Sequence, residues 1–449
     1  MRFIYIFITV IIIGCTCPPP VSCECEDEKY IVLMNHSFGV PLIELWHKDM
    51  PGDSVILVQE SLTKNIQGVL SDYKIDSAHL SNIFTNVIVG FTVTLSCGEA
   101  NNLRNDERVQ SVTEDKIIPM SEPILHSEPI LHTDLIFYSE PILHDPESQI
   151  SNMSQSLIDL YFNEETGQSM AIEIAGGPHD GTGKNVWVVD TGVDPHSKLN
   201  ITTDPNGKFS AYGNNNSDAT VDISGHGTHV AGIIAATATD YPVNEASNIN
   251  SGIEGIASGA TILPVKVFNN EGESSWDAVI SGLNHIAGHL ELSNVINLSL
   301  GAWDPSACNN PENQPLIEAL ENLTQKGAYI VMSAGNKGSS VSSSFPACFT
   351  GNDHLITVAA LEDRTHYASF SNHGSAVDYL AGGIYVLSTG PVMNNQDTYQ
   401  FRSGTSMAAP IITGLVLMNN GLPNSGNSIA YPSGDCSNSS NNCKPIGTN

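Results

Sequence analysis

The hydrophobic positions of this 449-residue chain divide it into five stretches with different patterns. Residues 1–22 hold one basic residue and then an almost unbroken apolar run, which is typical of a signal peptide. Residues 28–115 contain short strand-like runs, and we expect a small α/β domain there. Residues 116–165 lack such runs and predict a linker. Residues 166–421 predict a large domain, and residues 422–449, rich in Asn, Ser, Gly and Pro, predict a loop or disordered tail.

The large domain alternates apolar strands with amphipathic helices. The pattern predicts strands at 185–189, 260–268, 295–300, 329–333 and 355–359, and helices at 226–238, 274–289, 315–326 and 406–418. Strands that are separated by helices of this length favour parallel pairing, with the helices covering both faces of the sheet. We therefore predict an α/β fold with a mostly parallel central sheet, preceded by the smaller α/β domain.

The predicted linker carries a hexapeptide repeat. Ser-Glu-Pro-Ile-Leu-His occurs at 121–126, 127–132 and 139–144, and a degenerate copy fills 133–138. The proline in each intact copy opposes a helix and a central strand, so we expect an extended segment. Metal binding by the histidine that ends each intact copy is the alternative interpretation.

Charge and cysteine content indicate export rather than nucleic-acid binding. The chain holds 17 basic and 48 acidic residues, a net charge of −31, whereas binding to phosphate backbones needs Lys and Arg. Of nine cysteines, four lie before residue 26, and among the later ones we predict Cys308–Cys348 and Cys436–Cys443 disulfides. We expect a secreted protein. Ile12-Ile-Gly-Cys15 also resembles a lipobox, which would instead anchor the protein to the cell surface through a lipid on Cys15.

Three segments hold candidate catalytic residues. Asp190 ends a predicted strand, where open α/β sheets place their sites. His226 and Ser406 each begin a helix within small-residue motifs. Alone, each has a plainer interpretation: a strand-end acid, a capping histidine or a zinc pair with His229, and an N-cap serine. Together, an acid, a base and a hydroxyl are what nucleophilic acyl chemistry needs.

Asn336 is a fourth candidate residue for this chemistry. It follows the strand at 329–333 in the segment Ser-Ala-Gly-Asn. Its side-chain amide and the Ser406 backbone N–H could both donate to an oxyanion.

These motifs resemble those of the subtilisin-like serine proteases, the subtilases. Asp-Thr-Gly at 190–192, His-Gly-Thr-His-Val-Ala-Gly at 226–232, Ser-Ala-Gly-Asn at 333–336 and Gly-Thr-Ser-Met-Ala-Ala-Pro at 404–410 match the family's functional motifs. The resemblance covers about residues 165–420 and is nearest to the proteinase K-like branch. It implies a serine endopeptidase with an Asp190, His226 and Ser406 triad, and with Asn336 in the oxyanion hole.

The resemblance also implies a self-processing zymogen. Residues 28–115 resemble the family's inhibitory propeptide, which is then a partner of the protease alongside protein and peptide substrates. Two short segments would bind substrate, and their small neutral residues suggest apolar or aromatic side chains before the cut: Leu300, Gly301 and Ala302, and Ser333, Ala334 and Gly335. The protease is expected to be a monomer that needs no cofactor for its chemistry.

Calcium is common in the resembled family, and oxygen ligands suit it. Glu362 and Asp363 are the candidate ligands of a structural calcium ion, along with Asp194 and Asp378. Two other functions stay open on the same scaffold: a catalytically inactive, surface-anchored binding protein, and an esterase or peptide ligase.

Overall fold

The structure is a computed structural model that describes residues 27–35, 38, 52–119, 161, 168–213, 216–238, 241–244, 249–251, 253–304, 306–430 and 443–448. The predicted signal peptide with Cys15, the hexapeptide repeats and Cys436 lie outside these residues. No helix within the described ranges is long and apolar enough to cross a bilayer.

The N-terminal domain is a four-stranded antiparallel sheet with two helices. Its strands are β1 (Glu28–Met34), β2 (Leu80–Phe84), β3 (Gly90–Leu95) and β4 (Val109–Glu114), and its helices are α1 (Gly52–Asp72) and α2 (Cys97–Arg104). The strands lie in the order β2-β3-β1-β4, so the chain follows a βαββαβ path. The Ser96 side chain accepts a hydrogen bond from the Glu99 backbone N–H, and the Ser96 backbone N–H donates to the Glu99 carboxylate. This capping box fixes where α2 begins.

The large domain is built around a central sheet of ten strands. Its strands, including short outlying pairs, are β6 (His179–Asp180), β7 (Asn185–Asp190), β8 (Asn200–Ile201), β9 (Phe209–Ser210), β10 (Tyr241–Asn244), β11 (Ile249–Ser251), β12 (Ala257–Ser258), β13 (Thr261–Lys266), β14 (Glu273–Ser275), β15 (Val295–Leu298), β16 (Ala302–Trp303), β17 (Tyr329–Ser333), β18 (Ser344–Phe345), β19 (Leu355–Leu361), β20 (Tyr379–Gly382), β21 (Val386–Thr389) and β22 (Tyr399–Arg402). Its helices are α3 (Met170–Ile174), α4 (His226–Ala235), α5 (Trp276–Ala287), α6 (Gln314–Gln325) and α7 (Thr405–Asn419).

Strands β20, β19, β17, β15, β7 and β13 pair in that order, all parallel. One buried apolar cluster joins α4 and α7 to one face of this sheet, and a second joins α5 and α6 to the other face. The predicted α/β fold, with a mostly parallel sheet and helices on both faces, is therefore confirmed.

The N-terminal domain packs on α5 and α6. Ile31, Leu33 and Phe84 belong to the same buried cluster as these two helices. The Asn284 side-chain oxygen on α5 accepts from the backbone N–H groups of residues 85–87 at 2.8–3.2 Å. Lys326, just after α6, donates to the Asn86 carbonyl at 2.9 Å, and burial lowers the pKa of its ammonium to about 8. The contact therefore combines apolar packing with satisfied polar groups.

The C-terminal tail differs from its prediction as a loop. Strands β23 (Asn424–Ala430) and β24 (Cys443–Thr448) pair with each other, and β24 adds to the edge of β20 in parallel. The prediction from composition was wrong here because the edge of β20 offers backbone hydrogen-bond partners, and a polar segment can pair with them as well as an apolar one. Ile446 is 6% exposed and packs into an apolar cluster beneath the sheet edge.

The two ends of the central sheet are irregular. The register of β23 against β24 shifts between Ser425 and Ser428, which marks a bulge or irregularity. At the opposite end, β8 and β9 each pair with β13 over only two residues.

A disulfide joins Cys308 to Cys348, whose Cα atoms are 5.9 Å apart. It links the loop before α6 to the segment after β18. Cys97 has a free thiol and lies in the N-terminal domain.

Replacing Ile446 with Ala tests whether the tail belongs to the folded domain. Loss of a buried Ile side chain is expected to lower the free energy of unfolding by about 2–5 kcal/mol. The measurement is chemical denaturation, with Ser406→Ala present in every sample because the resemblance implies that Ser406 is a nucleophile. Ile223, which is 63% exposed, gives the matched control, since Ile223→Ala should change stability by less than about 0.5 kcal/mol. Equal effects of the two changes would contradict a packed tail.

Candidate active site

Three parallel strands end at the same edge of the sheet, and the candidate residues cluster there. Asp190 is the last residue of β7, Ser299 directly follows β15, and Asn336 comes three residues after β17. His226 begins α4, and Ser406 is the second residue of α7. The sheet edge and two helix N-termini thus bring distant parts of the chain together.

Asp190 and His226 form a buried hydrogen-bonded pair. The His226 Nδ1 lies 2.7 Å from Asp190 Oδ1, and the two residues are 3% and 1% exposed. The same carboxylate oxygen accepts from the Thr191 backbone N–H at 2.8 Å, which holds its orientation. With Nδ1 engaged by the carboxylate, Nε2 is left as the ring nitrogen that can exchange a proton.

Gly227 allows α4 to begin this close to β7. A Cβ atom on Gly227 would lie 2.1 Å from the Gly192 carbonyl oxygen. Any other residue would push the helix away from the strand end and lengthen the Asp190–His226 contact. Close packing of the helix against the strand end therefore explains why glycine follows His226 in the sequence.

Asp222 is a second buried carboxylate beside this pair, and the sequence analysis missed it. It accepts from the Thr191 and Thr228 hydroxyl groups at 2.7 Å each, and from the backbone N–H groups of Gly225 and Thr228 at 2.8 Å. These bonds tie the start of α4 to the turn after β7. The four donors satisfy both oxygens of this buried carboxylate.

Two cations lie next to the two carboxylates. Lys266, at the end of β13, is 3% exposed and donates to the Thr191 carbonyl. Arg402, at the end of β22, donates to the Ser224 carbonyl at 2.7 Å. Burial lowers the pKa of both groups, while the charges of Asp222 and Asp190 oppose that shift. The buried acidic and basic groups balance each other's charge around the Asp190–His226 pair.

His229 has a structural position. It is fully buried, and its Nε2 contacts the carbonyl oxygens of Val386 and Gln400 at 3.0 and 2.8 Å. Burial holds its pKa well below the usual range, so the ring is neutral. Backbone carbonyl oxygens thus occupy His229 Nε2 and hold the ring in place.

Ser406 is held against the end of β15. Its hydroxyl donates to the Ser299 carbonyl at 3.4 Å, and the Ser299 hydroxyl donates to the Ser406 carbonyl at 3.2 Å. Ser406 lies in the first turn of α7, where backbone N–H groups lack helical partners and favour negative charge. Ser299 lies outside the motifs named in the sequence analysis, so its part in holding Ser406 is seen only from these contacts.

Asn336 is fixed with its amide nitrogen free to donate. Its Oδ1 accepts from both the backbone N–H and the hydroxyl of Thr405, each at 2.9 Å. Because a backbone N–H can only donate, this contact assigns the oxygen and leaves Nδ2 as the donor end. The amide therefore stands beside the residue that precedes Ser406.

Asn336 also lines a groove of about 760 Å³. Gly301, Ala302, Ser333 and Gly335, four of the residues that the resemblance implies for substrate binding, line the same groove. It has further lining residues that the analysis missed: Trp276, Trp303, Asp304, Asn313, Lys337, Ser344, Phe345 and Asn372.

Leu300 and Ala334 differ from the expectation. They are 3% and 0% exposed, and both belong to buried apolar clusters instead of lining the groove. Neighbouring residues of an extended segment point to opposite sides, so these two face the core while their neighbours face the groove.

Asn372 holds one wall of the groove in place. Its side chain donates to the Ala334 carbonyl at 2.9 Å and accepts from the backbone N–H of Lys337 at 3.0 Å. Gly335 has a φ of 95°, and a Cβ atom there would lie 2.5 Å from the Asn372 amide nitrogen. Only glycine fits at this bend.

The chain that leaves the N-terminal domain enters this groove. Strand β5 (Ile117–Pro119) pairs antiparallel with β14, so that Ile118 lies opposite Ser274. Ile118 is 1% exposed, whereas Ile117 is 70% exposed. Residues 117–119 were predicted to be part of the linker, but they form a strand because β14 supplies a pairing partner. Their own sequence does not indicate this pairing.

Asp277 connects the two domains at the start of α5. Its carboxylate accepts from Asn82 at 2.8 Å, and also from the Thr92 hydroxyl and the Lys29 ammonium. Its backbone N–H donates to Asp115 at 2.9 Å, and burial raises the pKa of the Asp115 carboxyl. These three side-chain donors all come from the N-terminal domain.

The candidate calcium ligands do not assemble a metal site. Asp363 accepts from the backbone N–H groups of Thr365 and His366 at 2.6 and 2.8 Å, and contacts the His366 ring. Asp194 and Asp378 likewise accept from backbone N–H groups. No group of three or more His, Cys, Asp or Glu side chains within the described ranges could hold a metal ion. Through these bonds Asp363, Asp194 and Asp378 stabilise turns and strands, and a structural calcium ion stays a prediction.

Comparisons with known proteins agree with this arrangement. A family model described as the subtilase family matches residues 181–424, and one described as peptidase inhibitor I9 matches residues 29–121. Subtilisin BL from Lederbergia lenta is 36% identical over 52% of this chain and 75% of its own length. Thermitase from Thermoactinomyces vulgaris is 34% identical over 53% of this chain and 74% of its own length.

Among solved structures, a protease from Pseudoalteromonas arctica PAMC 21717 is 26% identical, with a TM-score of 0.45, covering 58% of this chain and 84% of that chain. The subtilase match spans more than half of the sequence, and the chain therefore belongs to the subtilase family. It is a serine endopeptidase, made as a zymogen with an inhibitor-type propeptide at residues 29–121.

Replacing Asp277 with Ala should weaken the hold of the propeptide on the protease. The change leaves the Lys29, Asn82 and Thr92 donors without their buried acceptor, which costs about 2 kcal/mol or more, equivalent to a roughly 30-fold loss of affinity. The measurement is inhibition of the mature protease by separately added residues 27–121. The control is Glu271→Ala, which removes an exposed acidic side chain shortly before β14. A loss below threefold, or one equal to the control, would contradict this role for Asp277.

Proposed function

We propose that this protein is a secreted endopeptidase that cleaves peptide bonds through an Asp190, His226 and Ser406 triad. The observation that carries the proposal is the buried 2.7 Å contact between Asp190 and His226 at the start of α4, a helix that shares a buried cluster with α7, where Ser406 lies in the first turn. The order and roles follow the worked triad of subtilisin, which is a member of the same family.

In this mechanism Ser406 attacks the carbonyl carbon of the scissile bond. His226 takes the hydroxyl proton on Nε2 as the new C–O bond forms, and then gives it to the leaving amine as the C–N bond breaks. Asp190 keeps the imidazole in the correct tautomer and stabilises its charged form. Water then attacks the acyl-enzyme by the same proton route, which releases the acid product and restores the Ser406 hydroxyl.

The negative oxygen of the tetrahedral intermediate is stabilised by the Asn336 amide and the Ser406 backbone N–H. The hydrogen bonds from Thr405 hold Asn336 before substrate arrives, so little reorganisation is needed at the moment of reaction. Lys266 and Arg402 are positioning groups here, because they touch the backbone around the pair and not the reacting atoms.

Substrate is proposed to bind as an added strand in the groove, in the manner of β5 against β14. Ser333 and Gly335 form small walls, and Phe345 adds an apolar surface, which supports a preference for apolar or aromatic side chains before the cut. The propeptide tail occupies the same groove, so the first self-cleavage should fall in the residues that follow Pro119. The apolar N-terminus and the disulfide support secretion, and a lipid anchor at Cys15 and a monomeric state stay predictions.

Ser406→Ala should abolish the activity and the self-processing together. Loss of the nucleophile is expected to lower kcat by a factor on the order of 10⁶. Intact mass is followed over time for refolded residues 27–449 and for the variant. The unchanged sequence should shorten by roughly the propeptide, and the variant should stay whole. Failure of a fluorophosphonate probe to label Ser406 in folded mature protein would contradict the proposal.

Asn336→Ala should lower kcat by about 10²–10³ with little change in KM, because the lost donor acts on the transition state. Asn336→Asp is the matched variant, since it keeps an acceptor for Thr405 but lacks the amide donor. Both should lose activity while circular dichroism shows the same fold. A loss below tenfold in both variants would remove Asn336 from the oxyanion role.

A further inference from the structure

The chain that leaves the N-terminal domain places one isoleucine in the apolar part of the groove. Ile118 is 1% exposed and belongs to the buried cluster that also contains Trp276 and Phe345. The rings of these two residues meet nearly at right angles, with their centroids 5.2 Å apart, and both residues line the groove. The neighbours of the isoleucine, Ile117 and Pro119, are exposed. The groove therefore buries the side chain at one position of this segment and leaves those on either side in solvent.

The backbone pairing of this segment determines where a proline can stand. Ile118 lies opposite Ser274 of β14. Because Pro119 has no N–H, the alternation of an antiparallel ladder leaves Ile118 as the residue that exchanges backbone hydrogen bonds with Ser274. The N–H of residue 117 then points away from β14, and a proline at that position would remove no bond of the ladder. The groove thus needs an apolar side chain at position 118 and tolerates proline on either side of it.

The hexapeptide repeats of the linker reproduce this segment. Residues 117–122 are Ile-Ile-Pro-Met-Ser-Glu, and residues 123–128 are Pro-Ile-Leu-His-Ser-Glu, so the second, fifth and sixth residues agree. The isoleucine recurs at every sixth position: Ile118, Ile124, Ile130, Ile136 and Ile142. A hydroxyl residue and then an acid follow the first four at the same distance: Ser121-Glu122, Ser127-Glu128, Thr133-Asp134 and Ser139-Glu140. The linker therefore carries further copies of the sequence that the groove holds.

The degenerate copy at 133–138 shows which position of the repeat is constant. Of its six residues, Ile136 alone is identical with the residue of the intact copies. This isoleucine corresponds to the buried Ile118, whereas Leu135 and Phe137 correspond to the exposed positions 117 and 119. The repeat thus varies where the groove leaves a side chain in solvent and is constant where the groove buries one.

We propose that the linker is a series of substrates for the protease's own groove, and that it is cut at a constant distance after the isoleucine of each copy. This inference rests on the proposed function, since each cut follows the same route. Water adds across one peptide bond through the acyl-enzyme on Ser406, which yields a carboxylate and an amine. Successive mature forms should therefore begin six residues apart. Several equivalent sites would separate the propeptide from the protease even if one of them were lost.

The experiment follows intact mass over time for refolded residues 27–449 and identifies the N-terminus of every mature form. Ile130→Ala removes most of one buried-type side chain, and a lost apolar group in a hydrophobic pocket should slow the cut after that copy by about tenfold or more. The other cuts should keep their rates. Leu131→Ala is the matched control, because Leu131 corresponds to the exposed Pro119 and its loss should leave every cut unchanged. Ser406→Ala in the same chain should stay whole.

Two results would overturn this role of the linker and leave the protease function intact. One is a set of mature N-termini that are not six residues apart, and the other is an equal effect of Ile130→Ala and Leu131→Ala. In both cases the mature enzyme would still cleave casein, an unrelated substrate, and react with a fluorophosphonate probe at Ser406. Failure of folded, propeptide-free enzyme to cleave either casein or the linker would instead overturn the proposed function.

Discussion

The parallel pairing of β7, β15 and β17 is the constraint on which the site depends. Parallel strands end at one edge, so Asp190, Ser299 and the Asn336 loop come together although the chain separates them widely. Two helices begin at this edge, with His226 and Ser406 in their first turns. The N-terminal ends of these helices favour negative charge where the sheet gathers the side chains. Without the common edge, none of the short motifs would make a site.

The proposed triad could be nominated from sequence because each of its members lies in a local motif. Small residues flank His226 and Ser406 in the sequence, and a buried strand precedes Asp190. These local patterns can be recognised in one sequence without knowledge of the fold. Gly227 shows the physical basis, since the fold leaves no room for a side chain there. The alternation of strands and helices likewise predicted the parallel sheet, which depends on local periodicity.

The supporting residues could not be predicted in the same way. Asp222, Lys266 and Arg402 lie near the catalytic pair through contacts between distant segments, and no local pattern distinguishes them from solvated surface charges. The same holds for Asp277, whose partners lie 185–248 residues away. The sequence likewise does not reveal that local turn donors hold the Asp363 carboxylate.

The tail strands have a consequence for how the protein behaves at high concentration. An open sheet with a long, regular outer strand invites another molecule to pair with it and begin an aggregate. Here the outer strand at one end is polar and irregular, and the opposite end finishes in strands of two residues. Neither end of the described sheet presents a long, regular row of unpaired backbone groups. The C-terminal residues therefore give the sheet an outer strand that does not favour pairing with a second molecule.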